Sequence, residues 1–309
     1  NPWYTPGFLD HALKAWANVL TRQNLTEWLA SYQGRVGESN PPRTIAVVMA
    51  GNIPMVGFHD MLCVLISGNR LKAKLSSQDQ HLLPAIGSLL EQVDPEWREY
   101  ISFSKGPLSD FDAVIATGSD NTSRYFDYYF GKYPHIIRKN RNSVAILTGQ
   151  ETAGELADLA DDVFLYFGRG CRNVSKIFLP QDYDPGNLQE AFNKYIDLFL
   201  HNKYRNNLDY QKSICLLNNI PYYDGGFFLM VPSASAASPV SVIHYEYYTE
   251  ISSVFTWIER EKERLQCVVN TGKAFPGALE PGLTQHPGLA DYADGADTLI
   301  FLTEKINNH

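Results

Sequence analysis

Thr44-Ile45-Ala46-Val47-Val48-Met49-Ala50-Gly51-Asn52-Ile53-Pro54 is the stretch on which the fold turns. Residues 44–49 form a short, unbroken apolar run without polar alternation. Such a run marks a strand buried on both faces, as in a parallel sheet covered by helices. It stops at Gly51-Asn52-Ile53-Pro54, where glycine and proline end regular structure. A helix is expected over 56–67, with Gly68-Asn69 as its stop, and a second strand over 71–75. Ser76-Ser77-Gln78-Asp79 then offers cap chemistry to a helix over 81–92. Strands over 100–103 and 112–116 follow, the latter ending in Thr117-Gly118-Ser119, then a helix over 121–129, a strand over 143–147 and a helix over 152–167. This alternation implies right-handed crossovers and a parallel sheet.

Upstream, Leu9, Leu13, Trp16, Leu20, Leu25, Trp28 and Leu29 recur at helical spacing, so 7–33 reads as helix and 34–43 as a polar loop. Downstream of Gly170 the texture changes. Strands are expected over 174–179, 227–231, 267–270 and 298–302, helices over 187–201 and 254–265, and a loop of small residues over 233–241. The domain boundary is placed near Gly168. Residues 1–167 are expected to form one domain, with 1–43 as its N-terminal helical part, and 168–309 a second, with a C-terminal segment.

The 309 residues carry 26 Lys and Arg against 34 Asp and Glu, a formal charge of −8. That balance argues against nucleic acid as a partner, because phosphate binding requires a basic face. No apolar run approaches the roughly 18–20 residues of a membrane span. The opening Asn1-Pro2-Trp3-Tyr4 shows no basic region of a signal peptide. Four widely spaced cysteines, Cys63, Cys171, Cys215 and Cys267, without a paired CxxC, fit a reducing cytoplasm and predict neither a disulfide scaffold nor a metal site.

Ligands of open α/β sheets bind beyond the carboxyl ends of the strands. The turns at Gly51-Asn52, Ser76-Ser77 and Gly118-Ser119 are therefore candidate nucleotide contacts, although any doubly wound protein has such turns and the usual GxGxxG fingerprint is absent. Cys171 is more pointed. It lies in Phe167-Gly168-Arg169-Gly170-Cys171-Arg172-Asn173, between two glycines that permit close approach and two arginines that favour a thiolate. A small buried hydrophobe is the competing reading, and it fits Cys63, Cys215 and Cys267, which lie in apolar runs. His244 and His286 are candidates for acid–base work. The basic run Arg138-Lys139-Asn140-Arg141 reads either as a phosphate contact or as a solvated turn.

Several of these pieces, in this order, resemble the aldehyde dehydrogenase superfamily, and within it the LuxC-type fatty acyl-CoA reductases. Residues Val48 through Pro54 resemble the strand that ends in an Asn-x-Pro turn. Gly68-Asn69 through Lys74-Leu75-Ser76-Ser77 resembles the "GN…K-P-S-E" strand. Ala116-Thr117-Gly118-Ser119 resembles the "TGS" turn, and Gly170-Cys171 the "GQxC" nucleophile loop. Tyr245-Glu246-Tyr247 is similar to the later glutamate segment, and residues 282–302 to the C-terminal part of the LuxC-type branch. The likeness runs from about residue 44 to the end.

The resemblance implies an α/β, aldehyde-dehydrogenase-like fold, with a Rossmann-like parallel-sheet domain and a second α/β catalytic domain. It implies that 1–167 is a nucleotide-cofactor-binding domain and 168–309 the catalytic domain of an acyl-CoA reductase in which Cys171 takes the acyl group from CoA, and in which the Asn52 amide and the Cys171 N–H stabilise the oxyanion. Lys74, Ser76 and Ser77 would hold the adenosine ribose side of the cofactor, Gly118 and Ser119 the pyrophosphate, and Glu246 the nicotinamide ribose. It also implies an acyl-protein synthetase as partner, and a homo-oligomer is open.

Two departures refine the expectation. The stretch aligned with the "LELGG" turn of the oxidising enzymes, residues 137–142, has no carboxylate to activate water, which favours a reductase over an acid-forming dehydrogenase. Ser77 replaces the "KPSE" glutamate, which would repel a 2′-phosphate, so NADPH is the expected cofactor, with Lys72 or Lys74 pairing with the phosphate. Reduction of an acyl phosphate within the same superfamily, which would want a basic pocket, and a non-catalytic binding subunit retaining the fold are the alternatives. The 18 Tyr, 16 Phe and 5 Trp favour an apolar acyl channel, with segments 125–133 and 245–248 as its lining, although core packing accounts for most aromatics.

Overall fold

The run at 44–48 becomes the central strand of a five-stranded parallel sheet because Ile45, Ala46 and Val47 have no polar side chain to keep in water and are buried on both faces. In the computed structural model, which describes residues 1–36, 41–104, 106–118, 120–271 and 275–304, the strands of this sheet are β1 (Thr44–Val48), β2 (Arg70–Lys74), β3 (Ile101–Ser104), β4 (Ala113–Thr117) and β5 (His135–Arg138). Their order is β3-β2-β1-β4-β5. Ile45 pairs with Leu71 on one side and Ala113 on the other. The chain winds outward from β1 to β3, then returns to β4 on the opposite side of β1. The switch point of this doubly wound sheet thus lies between β1 and β4. Ala46, Val114 and Ala116 form one face, covered by Phe126 and Phe130 of the helix Asp120–Phe130 together with Tyr133.

This sheet belongs to a unit made of Asn1–Asn140 and the segment from Gly288 on. The expected single helix over 7–33 is two, Pro6–Val19 and Arg22–Ala30, because Thr21 takes an extended conformation and caps the second helix by accepting from Asn24 N–H at 3.1 Å. The Trp28 indole donates to the Tyr292 hydroxyl (2.9 Å), which lies 2.7 Å from the Tyr32 hydroxyl, and Tyr32 donates to Asp297 (2.7 Å). Asp297 in turn caps the helix Thr298–Thr303, accepting from Ile300 N–H at 2.9 Å. The strand expected at 298–302 is therefore a helix. So short a run, four apolar residues after Thr298, does not discriminate the two, and the preceding aspartate cap together with burial of Thr298, Leu299 and Leu302 decides it.

The second unit, Arg141–Pro287, contains a sheet of order β11-β6-β7-β10-β9-β8. Its strands are β6 (Asn142–Ile146), β7 (Val174–Pro180), β8 (Tyr223–Asp224), β9 (Leu229–Pro232), β10 (Val242–Tyr248) and β11 (Leu265–Asn270). All pairs are parallel except β8 with β9. Val144, Ile146, Phe178, Val254, Ile258 and Leu265 form a core under the helix Ile251–Glu261. The boundary thus falls at Asn140/Arg141, not near Gly168. The strand at 142–146 pairs with β7 and β11, and Arg141 donates to the Leu265 carbonyl at 3.1 Å. The last segment returns to the first unit.

The helix expected over 187–201 is a chain of short helical turns, Pro185–Leu200, and the long helix is Asn202–Leu217. Only Tyr204, Leu208 and Cys215 of the latter are buried, too sparse a stripe to stand out by periodicity. Strands β5 and β10 were likewise not expected from their patterns.

Candidate active site

At the carboxyl end of β1 the chain turns through Gly51-Asn52-Ile53-Pro54. Asn1 Nδ2 donates to the Gly51 carbonyl at 2.9 Å, and the Tyr4 hydroxyl lies 2.8 Å from the Ile53 carbonyl and 3.2 Å from that of Gly51. The carbonyls on both sides of Asn52 are thereby fixed. A Cβ on Gly51 would lie 2.7 Å from Ser76 Cβ, so only glycine lets the turns after β1 and β2 meet. Ser76 builds the second turn: its hydroxyl accepts from Gln78 N–H at 3.2 Å and its carbonyl from Asp79 N–H at 3.1 Å. Asp79 then accepts from the N–H groups of His81, the N-cap residue of the helix Leu82–Val93, and of Leu82, its first residue; the cap residue itself is His81 and offers no side-chain bond. Lys74 and Ser77 are exposed at the end of β2.

Gly118, at the end of β4, donates to the Arg138 carbonyl at 3.3 Å, and a Cβ on it would come within 2.8 Å of Phe126. Ser119 lies outside the described residues. Asn52, Lys74, Ser76, Ser77 and Gly118 therefore all stand at or just beyond the carboxyl ends of β1, β2 and β4, with Asn52 and Gly118 on either side of the switch point. This is the place and the donor chemistry that a nucleotide uses in such sheets. Arg138 is not a phosphate contact. It is buried, with one nitrogen 2.7 and 2.5 Å from the two oxygens of Asp60 and the other donating to Thr298 at 2.9 Å. Burial alone would lower this guanidinium, and the Asp60 carboxylate outweighs it, raising it above its ordinary value.

In the second unit, the helix Ala153–Phe164 ends in three successive left-handed residues, Tyr166 (φ 56°), Phe167 (φ 61°) and Gly168 (φ 68°). The first two are buried side chains that rarely adopt such angles, and backbone strain of this kind clusters at functional sites. Asn173 holds the segment in place. Its Nδ2 donates to the carbonyls of Asp162 (3.0 Å) and Leu165 (2.9 Å), and its Oδ1 accepts from Gly170 N–H at 2.8 Å. Cys171 lies within this turn and is exposed, whereas Cys63, Cys215 and Cys267 are buried. Asn173, Tyr4 and Asn1 each act on a backbone group, which leaves no trace in a pattern of side chains.

Glu246 lies on β10 and pairs with Lys176 of β7, 2.6 Å from its ammonium. Lys176 is fully buried, donates also to the Ser233 carbonyl (2.9 Å) and lies over the rings of Phe178 and Trp257. Burial lowers this ammonium in spite of Glu246. One carboxylate oxygen of Glu246 is thus already engaged in sheet structure. Ring nitrogen Nδ1 of His244 lies 3.0 Å from the Ser235 carbonyl, and burial lowers this imidazole. His286 is exposed. Of the aromatics in 125–133, Phe126, Phe130 and Tyr133 pack in the core while Tyr125, Tyr128 and Tyr129 are exposed.

Asp162, wholly buried, clamps the loop before residue 287 by accepting from Gly282 N–H (2.7 Å), Thr284 N–H (3.0 Å) and the Thr284 hydroxyl (2.7 Å). Burial pushes its carboxyl up to about 6 against these three donors. An acid raised in the folded state adds stability while protonated. That increment, up to about 3 kcal/mol, is fully present below the unfolded value near 3.9 and lost as pH rises through about 6. Thermal unfolding should show it: wild type loses stability between about pH 4 and 7 relative to Asp162→Asn, whose amide does not titrate. Parallel pH profiles would contradict the assignment.

Among the described residues no helix is long and apolar enough to cross a membrane, and no cluster of His, Cys, Asp or Glu is placed to hold a metal ion.

The fold is that of the aldehyde dehydrogenases. An aldehyde dehydrogenase of Mycobacterium tuberculosis complexed with NAD+ superposes with a TM-score of 0.59 over 84% of this chain and 65% of that one, at 13% identity. An NAD-dependent benzaldehyde dehydrogenase of Corynebacterium glutamicum gives 0.60 over 85% and 68%, at 12% identity. Long-chain acyl-protein thioester reductase 2 of Photobacterium leiognathi is 24% identical over 202 residues, 59% of this chain and 41% of that protein, so the chain spans less than half of that relative's length. The LuxC acyl-CoA reductase profile matches residues 8–213, about two thirds of the sequence. The chain belongs to the LuxC acyl-CoA reductase family.

Proposed function

We propose that the chain reduces a fatty acyl thioester to the aldehyde with NADPH, through a thioester on Cys171. The observation that carries this reading is an exposed cysteine, in a turn held by Asn173 just after the left-handed residues 166–168, in a member of this family. In the proposed reaction the Cys171 thiolate attacks the acyl carbonyl carbon of acyl-CoA. The Asn52 amide and the Cys171 N–H stabilise the charge that develops on oxygen. Collapse forms the Cys171 thioester and expels CoA as its thiolate, which takes a proton from water. Lys74, Ser76, Ser77, Gly118 and Ser119 are proposed to hold the nucleotide, and Glu246 its nicotinamide ribose through the oxygen that Lys176 leaves open. When bound, the nucleotide supplies the hydride that releases the acyl group as aldehyde. Residues 137–142 carry no carboxylate, so nothing in that stretch activates water to divert the thioester to an acid.

The relative's name supports an acyl-protein as a donor beside CoA, and a synthetase that forms it as a partner. The direct test follows NADP+ and aldehyde during incubation with tetradecanoyl-CoA and NADPH. Formation of both supports the proposal, and formation of neither overturns it. Cofactor choice has its own test. Ser77→Glu should place a carboxylate against the 2′-phosphate and move the ratio of kcat/KM values toward NADH by about tenfold or more. A wild type that already prefers NADH would contradict the NADPH assignment.

A further inference from the structure

Two consecutive peptide planes flank the Cα of Cys171, and each is pinned from a different direction. The plane joining Gly170 to Cys171 carries the Gly170 carbonyl, which accepts from Asn173 N–H at 3.1 Å. The peptide is trans, so the Cys171 N–H in the same plane points the opposite way. The plane joining Cys171 to Arg172 carries the Cys171 carbonyl, which accepts from the Ser143 hydroxyl at 2.9 Å. The Ser143 oxygen also accepts from Cys267 N–H at 3.1 Å. Its one proton and an acceptor site are thereby committed, and the residue is fully buried, so no bulk water competes.

The sheet is irregular at this residue on both sides. The register of β6 with β7 shifts between Ser143 and Val144, and that of β11 with β6 shifts between Leu265 and Cys267, opposite Asn142 and Ser143. Bulges of this kind re-aim groups beside functional sites. A buried hydroxyl with an extra residue in each neighbouring strand joins the Cys171 carbonyl to β11.

We propose that Ser143 is a positioning residue for the Cys171 nucleophile: it fixes the peptide after Cys171 while Asn173 fixes the one before, so that the Cys171 N–H and side chain are aimed together for acyl transfer. The inference rests on the reading of Cys171 as nucleophile.

Two rate constants test it in wild type, Ser143→Ala and Ser143→Thr. One is acylation of Cys171 by tetradecanoyl-CoA, followed by quenched-flow mass spectrometry. The other is alkylation of Cys171 by iodoacetamide. Alkylation displaces iodide from a saturated carbon and builds no oxyanion, so it reads only the thiol and its access, whereas acylation needs the N–H aimed at the developing charge. Ser143→Ala should slow acylation by about 10- to 100-fold while alkylation changes by less than about threefold, and Ser143→Thr should restore acylation to within about fivefold of wild type. If the alanine variant does not fold, Ser143→Cys, near-isosteric with a weak donor, takes its place with the same expectation. Unchanged acylation, or acylation and alkylation slowed in parallel, overturns the role of Ser143. Failure of the wild type itself to acylate, with normal alkylation, overturns instead the reading of Cys171.

Discussion

Cys171→Ala is expected to remove acyl-CoA reduction to background, a loss of roughly 10⁴-fold or more, the scale on which removal of an acyl-transfer nucleophile acts. No other cysteine is placed to substitute. Cys63, Cys215 and Cys267 are buried, and burial raises the thiols of Cys63 and Cys215 away from the reactive thiolate. Nucleotide binding should survive the substitution, because the residues proposed to hold the nucleotide come mainly from the turns after β1, β2 and β4. Steady-state assay together with nucleotide titration checks both halves. A variant that retains a tenth of wild-type activity would show, on the roughly 10⁴-fold scale above, that the thioester does not form on Cys171.

The largest expected effect on stability comes from Asp60 and Arg138. Both are buried, and neither can be left without the other. Asp60→Ala leaves the buried guanidinium without its carboxylate, at an expected cost of about 3–5 kcal/mol in urea unfolding. That is a large share of the roughly 5–15 kcal/mol by which folded proteins are stable. Replacing both, as Asp60→Leu with Arg138→Met, should recover most of the loss, since exchange of a buried pair for apolar groups is often neutral. A single-variant cost below about 1 kcal/mol would show the pair to be solvated. The consequence reaches the proposed nucleotide site, because the Arg138 carbonyl accepts from Gly118 N–H.

Arg138 also shows where reading a sequence stops. The run Arg138-Lys139-Asn140-Arg141 reads as one basic cluster, yet its two arginines do unrelated things. One meets Asp60, 78 positions away, and the other donates to the Leu265 carbonyl, 124 positions away. Charge in a short window says nothing about partners at that separation. Trp28, Tyr32 and Tyr292 are a second instance, joined over more than 250 positions. What was legible was local. The unbroken run at 44–48 yielded the central strand, the polar segment 76–79 the start of the next helix, and the glycines around Cys171 a turn. The same locality misled at 298–302, where four apolar residues after Thr298 fit strand and helix equally until the Asp297 cap chose. The frame around Cys171 was hidden because Ser143 and Asn173 bond to backbone groups, and such bonds leave no motif.

Whether Cys171 carries the acyl group decides the proposed mechanism. Intact-mass analysis of the protein after exposure to tetradecanoyl-CoA without nucleotide, with peptide mapping, answers this. One tetradecanoyl group per chain is expected, on Cys171, discharged as tetradecanal when NADPH is added. An unmodified chain, or an acyl group on a different residue, would contradict it.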